Sequence, residues 1–141
     1  MGESGMEQGN EQLCRHFGEI LGAKAKPEGK GCMVSLKRTF DANLQGKQSS
    51  SILGVEVLFE SLDVSGQALC LAETVVLEKE VLPFADALAG QGLVISAIHN
   101  HWLFDTPRLM YIHVQSVEEP LGFAQKMAFA FQGLSSMPVP K

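Results

Sequence analysis

The sequence predicts a single α+β domain: a largely antiparallel five-stranded sheet and three helices, in the order α-β-β-β-α-β-β-α, packed as two layers. Three observations predict it. A length of 141 residues, with 45% hydrophobic and 19% charged, suits one globular core. Five segments alternate, or run apolar, over strand lengths. Three others repeat apolar residues at helical spacing, so each has one face to bury.

The elements follow in order. Residues 1–10 are polar and Gly-rich and are expected to form a flexible tail ahead of a domain spanning 11–134. From Glu11 to Leu21, the residues Leu13, Phe17, Ile20 and Leu21 fall on one helical face, and Gly22 is placed to end the helix. Cys32 to Phe40 alternates as a half-buried strand. Asp41 to Ser51 is a long polar loop, and Ile52 to Glu60 alternates again. Asp63 to Gly66 supplies turn chemistry. Gln67 to Leu77 is a more continuously apolar, central strand. Glu78 to Ala89 reads as a helix burying Val81, Phe84, Ala85 and Leu88, with Pro83 early and Gly90 and Gly92 at its end. Leu93–Leu103 and Arg108–Gln115 form a hairpin around a turn at Asp105-Thr106-Pro107. Ser116 with Glu119 suggests a capping box for a last helix whose inner face carries Leu121, Ala124, Met127, Ala128 and Phe131. Residues 135–141, with Pro138 and Pro140, are expected to be a second flexible tail.

Composition removes several function classes. The formal net charge is −5 and no block of Lys or Arg occurs, which argues against a nucleic-acid partner. No apolar run approaches the roughly 20 residues needed to span a bilayer, so no membrane association is expected. The first residues lack the pattern of a signal peptide, and Met6 breaks the myristoylation pattern that Gly2 would start. A cytoplasmic location is the expectation. Cys14, Cys32 and Cys70 are odd in number and widely spaced, and three reduced thiols are expected. No nucleophile elbow, P-loop or dinucleotide fingerprint is present.

The candidate site is the segment His99-Asn100-His101 together with His113. On a strand, His99 and His101 project from one face, with Cα atoms about 6.5–7 Å apart. A three-residue turn would set His113 opposite His99 and Tyr111 opposite His101, with Asn100 and Trp102 on the other face. Three imidazoles on one patch suit a divalent metal such as zinc, because each offers a neutral nitrogen. Everything depends on register, since a one-residue slip moves His113 to the other face. Glu73 interrupts an apolar strand and is a candidate acid or base beside His99 and His101, whereas Glu78 and Glu80 suit a helix N-terminus. Asn100, Arg108 and Tyr111 are candidate ligand contacts, and Arg108 also has Asp105 as an ion-pair partner across the turn.

The stretches Ala97-Ile98-His99-Asn100-His101 and Pro107-Arg108-Leu109-Met110-Tyr111-Ile112-His113 resemble the signature of the LppY/LpqO family of uncharacterised bacterial proteins. Glu73 to Leu88, with Glu78, Glu80, Val81 and Pro83, is similar to the strand and helix that precede it. The resemblance is good over residues 70–134 and looser over 11–40. Glu73 stands where members often carry Asp, and Ser49 to Ser61 lacks the usual Gly/Trp pattern. The resemblance implies no established activity. Three functions fit these residues: a site that binds a small ligand or divalent metal; a metal- or His-dependent, hydrolase-like enzyme; and a non-catalytic interaction module forming a homodimer.

Overall fold

The strand and helix patterns of the sequence fold as an antiparallel sheet with its helices gathered on one face. The structure, a computed structural model, describes residues 2–141, with side chains described from Gly9 onward. In chain order the helices are α1 (Gly2–Leu21), α2 (Val81–Ala89) and α3 (Pro120–Phe131). The long strands are β2 (Gly31–Lys37), β5 (Gly54–Glu60), β6 (Ala68–Leu77), β7 (Val94–Asn100) and β9 (Leu109–Glu118). These are the five predicted strands. Short pieces add to them: β1 (Lys26–Glu28), β3 (Asn43–Leu44), β4 (Lys47–Gln48), β8 (Asp105–Thr106) and β10 (Val139–Pro140). The main sheet therefore has seven strands rather than five, in the order β1-β2-β5-β6-β9-β7, with β10 also on β2. Every pairing in it is antiparallel. A separate small sheet, β4-β3-β8, joins two long loops.

Alternation assigns the two faces. Val34, Leu36, Val55, Val57, Phe59, Cys70, Ala72, Ile112 and Val114 all point to the helical side and are buried. Leu88, Ala124, Met127 and Phe131 are buried against them as predicted, with Val81 half-buried. Phe84 stacks on Phe131 at 6.0 Å and Phe17 meets Phe59 edge-on at 5.0 Å, closing the space between helices and sheet. Gly22 ends α1 at φ 77°, a conformation that costs glycine little, and the Ala23 N–H donates to the Gly18 carbonyl. The helix begins at Gly2, well before the expected Glu11.

The cysteine expectation is overturned. Cys14 on α1 and Cys32 on β2 form a disulfide, with Cα atoms 5.5 Å apart. Only Cys70 is free. Burial, and then the charge of Glu118, push its thiol up to about 12, which keeps it in the thiol form near neutral pH.

Two further departures have local causes. The expected capping box does not form, because β9 runs on through Ser116 to Glu118 and α3 starts with Pro120 in its first turn, where a missing N–H costs little. The segment 135–141, expected to be a tail, lays Val139 and Pro140 against Lys37 and Leu36 of β2.

One charged pair lies inside the helical layer. Arg38 and Glu80 are 1% and 3% exposed. Arg38 donates to both carboxylate oxygens, at 3.0 and 2.8 Å, and to the Val75 carbonyl at 2.9 Å. Glu80 also accepts from the backbone N–H groups of Leu77 and Ser135 and from the Ser135 hydroxyl, each at 2.7 Å. Glu80 is therefore a buried clamp between sheet, helix and C-terminal segment, not merely a charge suited to a helix start.

Candidate functional site

The open face of the sheet, opposite the helices, carries the candidate residues. Their placement rests on the pairing of β7 with β9. The strands end at Asn100 and resume at Leu109, so the connection spans residues 101–108 rather than the three-residue turn expected. His99 pairs with Tyr111, and His113 with Ala97. The expected pairing of His99 with His113 is thus displaced by two residues. A displacement of two leaves a side chain on its own face. His99, Tyr111 and His113 therefore share the open face, and the two imidazoles meet diagonally, Nε2 to Nε2 at 2.9 Å.

The contact at the other nitrogen fixes the protons. His99 Nδ1 lies 3.0 Å from the Asn100 carbonyl, which can only accept, so Nδ1–H donates. In neutral His99 the Nε2 then bears a lone pair, and His113 Nε2–H donates to it. Ser96 Oγ approaches the His113 carbonyl at 3.4 Å.

A row of side chains crosses the sheet beside this pair. Glu56 on β5 is directly opposite Glu73 on β6, and Glu73 is directly opposite His113 on β9. Cross-strand partners stand about 4.5–5.5 Å apart at Cα. Two carboxylates facing each other repel, so the row favours a cationic or hydrogen-donating group above it. Glu56, Leu58, Leu71, Glu73, His113 and Gln115 line a cleft of about 220 Å³ there. Leu58 and Leu71 give it an apolar wall beside the carboxylates and His113.

His101 lies past the end of β7, in the connection, so strand alternation does not place it. Its ring stacks on Trp102 at 4.7 Å and meets Tyr111 edge-on at 4.6 Å. The ring centre is 6.0 Å from that of His99. Trp102, expected on the opposite face, folds over the open one and donates from Nε1 to the Tyr111 hydroxyl at 3.2 Å. That hydroxyl donates to the Ile52 carbonyl at 2.9 Å. Burial raises the Tyr111 pKa, the Trp102 contact opposes this, and the charges of Glu73 and Asp105 add to it. Tyr111 is thus a buried strut. The small sheet and a hydrogen bond from Gln45 N–H to the Phe104 carbonyl at 3.0 Å tie the two loops into a cap over this end of the face.

The remaining candidates separate from the cleft. Asn100 pairs with Met110 and so faces the helical side; its amide donates to the Trp102 carbonyl at 3.4 Å. Arg108 is exposed and pairs with Asp105 at 3.5 Å, as one reading of the turn had it. Asp105 also accepts from the Leu109 N–H at 2.8 Å. Among the described residues, no three His, Cys, Asp or Glu side chains come together as a metal-holding group. The histidines are a contacting pair with a neighbour. Glu56 was missed from the sequence, although the alternation of β5 and β6 already put it on the face of Glu73.

Comparison with known proteins agrees on a family and goes no further. A family model described as Domain of Unknown Function (DUF1259), DUF1529, matches residues 15–132. The chain belongs to that family. No curated protein matches, and no solved structure matches. No helix among the described residues is long and apolar enough to cross a membrane.

Proposed function

We propose that this member of the DUF1529 family binds a small polar ligand on the open sheet face, over the Glu56–Glu73–His113 row, with His99 at its rim. The observation that carries the reading is the 2.9 Å contact between the Nε2 atoms of His99 and His113 at the edge of a cleft. His99 is exposed and His113 half-buried, so His99 can exchange its imidazole partner for a ligand at little cost. The facing carboxylates favour an ammonium or hydroxyl group on that ligand, and Leu58 and Leu71 favour an aliphatic body.

A divalent metal is the second reading, favoured by one observation. A ligating histidine commonly donates its other N–H to a carbonyl, as His99 does to Asn100. Coordination would require His113 to give up its Nε2 proton and Glu73 or His101 to swing inward. Hydrolase-like catalysis with Glu73, His99 and His101 as acid and base stands behind both readings, since it would first require a bound ligand. The narrower kinship with the LppY/LpqO proteins belongs to the same proposal and rests on the His-Asn-His and Pro-Arg segments. Cytoplasmic residence and a Cys14–Cys32 bridge make opposite demands, because disulfides persist in oxidising compartments. Thiol titration of protein taken from its native cells decides between them.

The test uses tag-free protein, with imidazole nitrogen shifts followed by NMR. One arm titrates small aliphatic amines and polyols; the other titrates zinc, manganese and nickel with calorimetry. Shifts at His99 and His113 with an amine or polyol, abolished by Glu73→Gln, support the ligand reading. Metal heat abolished by His99→Ala replaces it with the metal reading. No response at either histidine in both arms rules out the site.

A further inference from the structure

We propose that β7 is a docking edge for a second copy of this chain, the two β7 strands pairing antiparallel about a two-fold axis so that one sheet runs through both copies. This does not depend on the ligand reading.

The two edges of the main sheet are built differently. One edge is split between β1, Lys26-Pro27-Glu28, and β10, Val139-Pro140. Short strands, charges and prolines are the devices that stop a sheet edge from pairing. The other edge is β7, Val94-Ile95-Ser96-Ala97-Ile98-His99-Asn100. It is seven residues long and has no proline and no Lys, Arg, Asp or Glu. Among the described residues it pairs only with β9, so alternate N–H and C=O groups of its outer edge are free. A bulge at Ser96 interrupts its start, but Ala97 to Asn100 keeps an unbroken register.

Part of the apolar surface of this strand is exposed, on both faces of the sheet. Val94 is 55% exposed and Ile98 43%.

Charge and closure select a second copy as the occupant. The chain carries a net −5, so two copies repel over much of their surface. The β7 strand has no formal charge and meets itself without like charges opposed. A head-to-tail contact would need the edge blocked by Pro27 and Pro140, so assembly closes at two. The two-fold pairing would set both His99 side chains on one continuous open face.

Sedimentation velocity of the full chain from micromolar to submillimolar concentration tests this, together with hydrogen exchange of the β7 amides. The expected result is a dimer in which the outward β7 amides are protected. Ile98→Lys, at an exposed position, should weaken association roughly tenfold or more and remove that protection, with the monomer still folding cooperatively. A wild-type monomer across the range overturns the proposal. So does a dimer whose outward β7 amides exchange freely, a readout that holds even where the variant fails to fold.

Discussion

Glu80→Gln should destabilise the chain by about 3–5 kcal/mol near neutral pH, the cost of stranding a buried charge. The wild-type carboxylate accepts five hydrogen bonds: two from Arg38, two from Ser135 and one from Leu77. A glutamine amide keeps one oxygen and turns its NH₂ toward donors, leaving the guanidinium of Arg38, itself fully buried, without a counter-charge. A second route gives a similar size. Burial pushes the Glu80 carboxyl up, but Arg38, Leu77 and Ser135 override it and hold it at about 2, against an ordinary 4.5. That depression corresponds to about 3 kcal/mol. The folded-state value is the lower one, so this stability is fully present above pH 4.5 and is lost as pH falls toward 2. Urea unfolding of both proteins at steps from neutral pH down through this window reads both effects. A loss under about 1 kcal/mol at neutral pH would refute the counter-charge argument. Wild type and Glu80→Gln losing stability in parallel through the acid window would refute the linkage.

Three further outcomes are expected. Reduction of the Cys14–Cys32 bridge, which closes a loop of sequence separation 18, should cost about 3 kcal/mol by chain entropy, measured as the difference in unfolding free energy with and without reductant. Phe131→Ala should cost about 3–5 kcal/mol by equilibrium unfolding, because the ring is 2% exposed and stacked on Phe84; a loss under about 1 kcal/mol would make α3 peripheral. Tyr111→Phe removes the hydroxyl that serves both Trp102 and the Ile52 carbonyl, and should cost about 1–3 kcal/mol with a red-shifted, more quenchable Trp102 emission; unchanged fluorescence would mean the cap is not held by that contact.

Much of the fold was legible because each long element carries its own period. The apolar spacing of α1 and α3 and the alternation of β2 and β5 need no tertiary information. The site was legible only in part. His99 and His113 were placed on one face by a register that proved two residues off, and the contact survived because the displacement was even. Trp102 and His101 were treated as strand residues, yet β7 ends at Asn100 and their positions follow from the loop. The Cys14–Cys32 pair was invisible because an odd count hides any single bridge, and only the packing of α1 on β2 brings the two together. Nothing in the sequence marked Arg38; its burial depends on Glu80, 42 positions away.

The irregularity at Ser96 has a consequence for how the histidine pair is inherited. Ahead of it, Val94 and Gln115 share the open face; after it, His99 and Tyr111 do. One extra residue has reversed the parity of β7. It also lets Ile95 and Ile98, three positions apart, both turn toward the helices, opposite Val114 and Ile112. If the same seven residues paired without the bulge, a strand anchored at Val94 would rotate His99 to the helical side and bring Ile98 and Asn100 to the open one. The pair of imidazoles therefore depends on the identity of two residues and on the bulge that absorbs Ser96. Loss of the bulge with all seven residues kept would erase it with both histidines still present, whereas removal of Ser96 itself would leave the pairing of Ala97 to Asn100 intact.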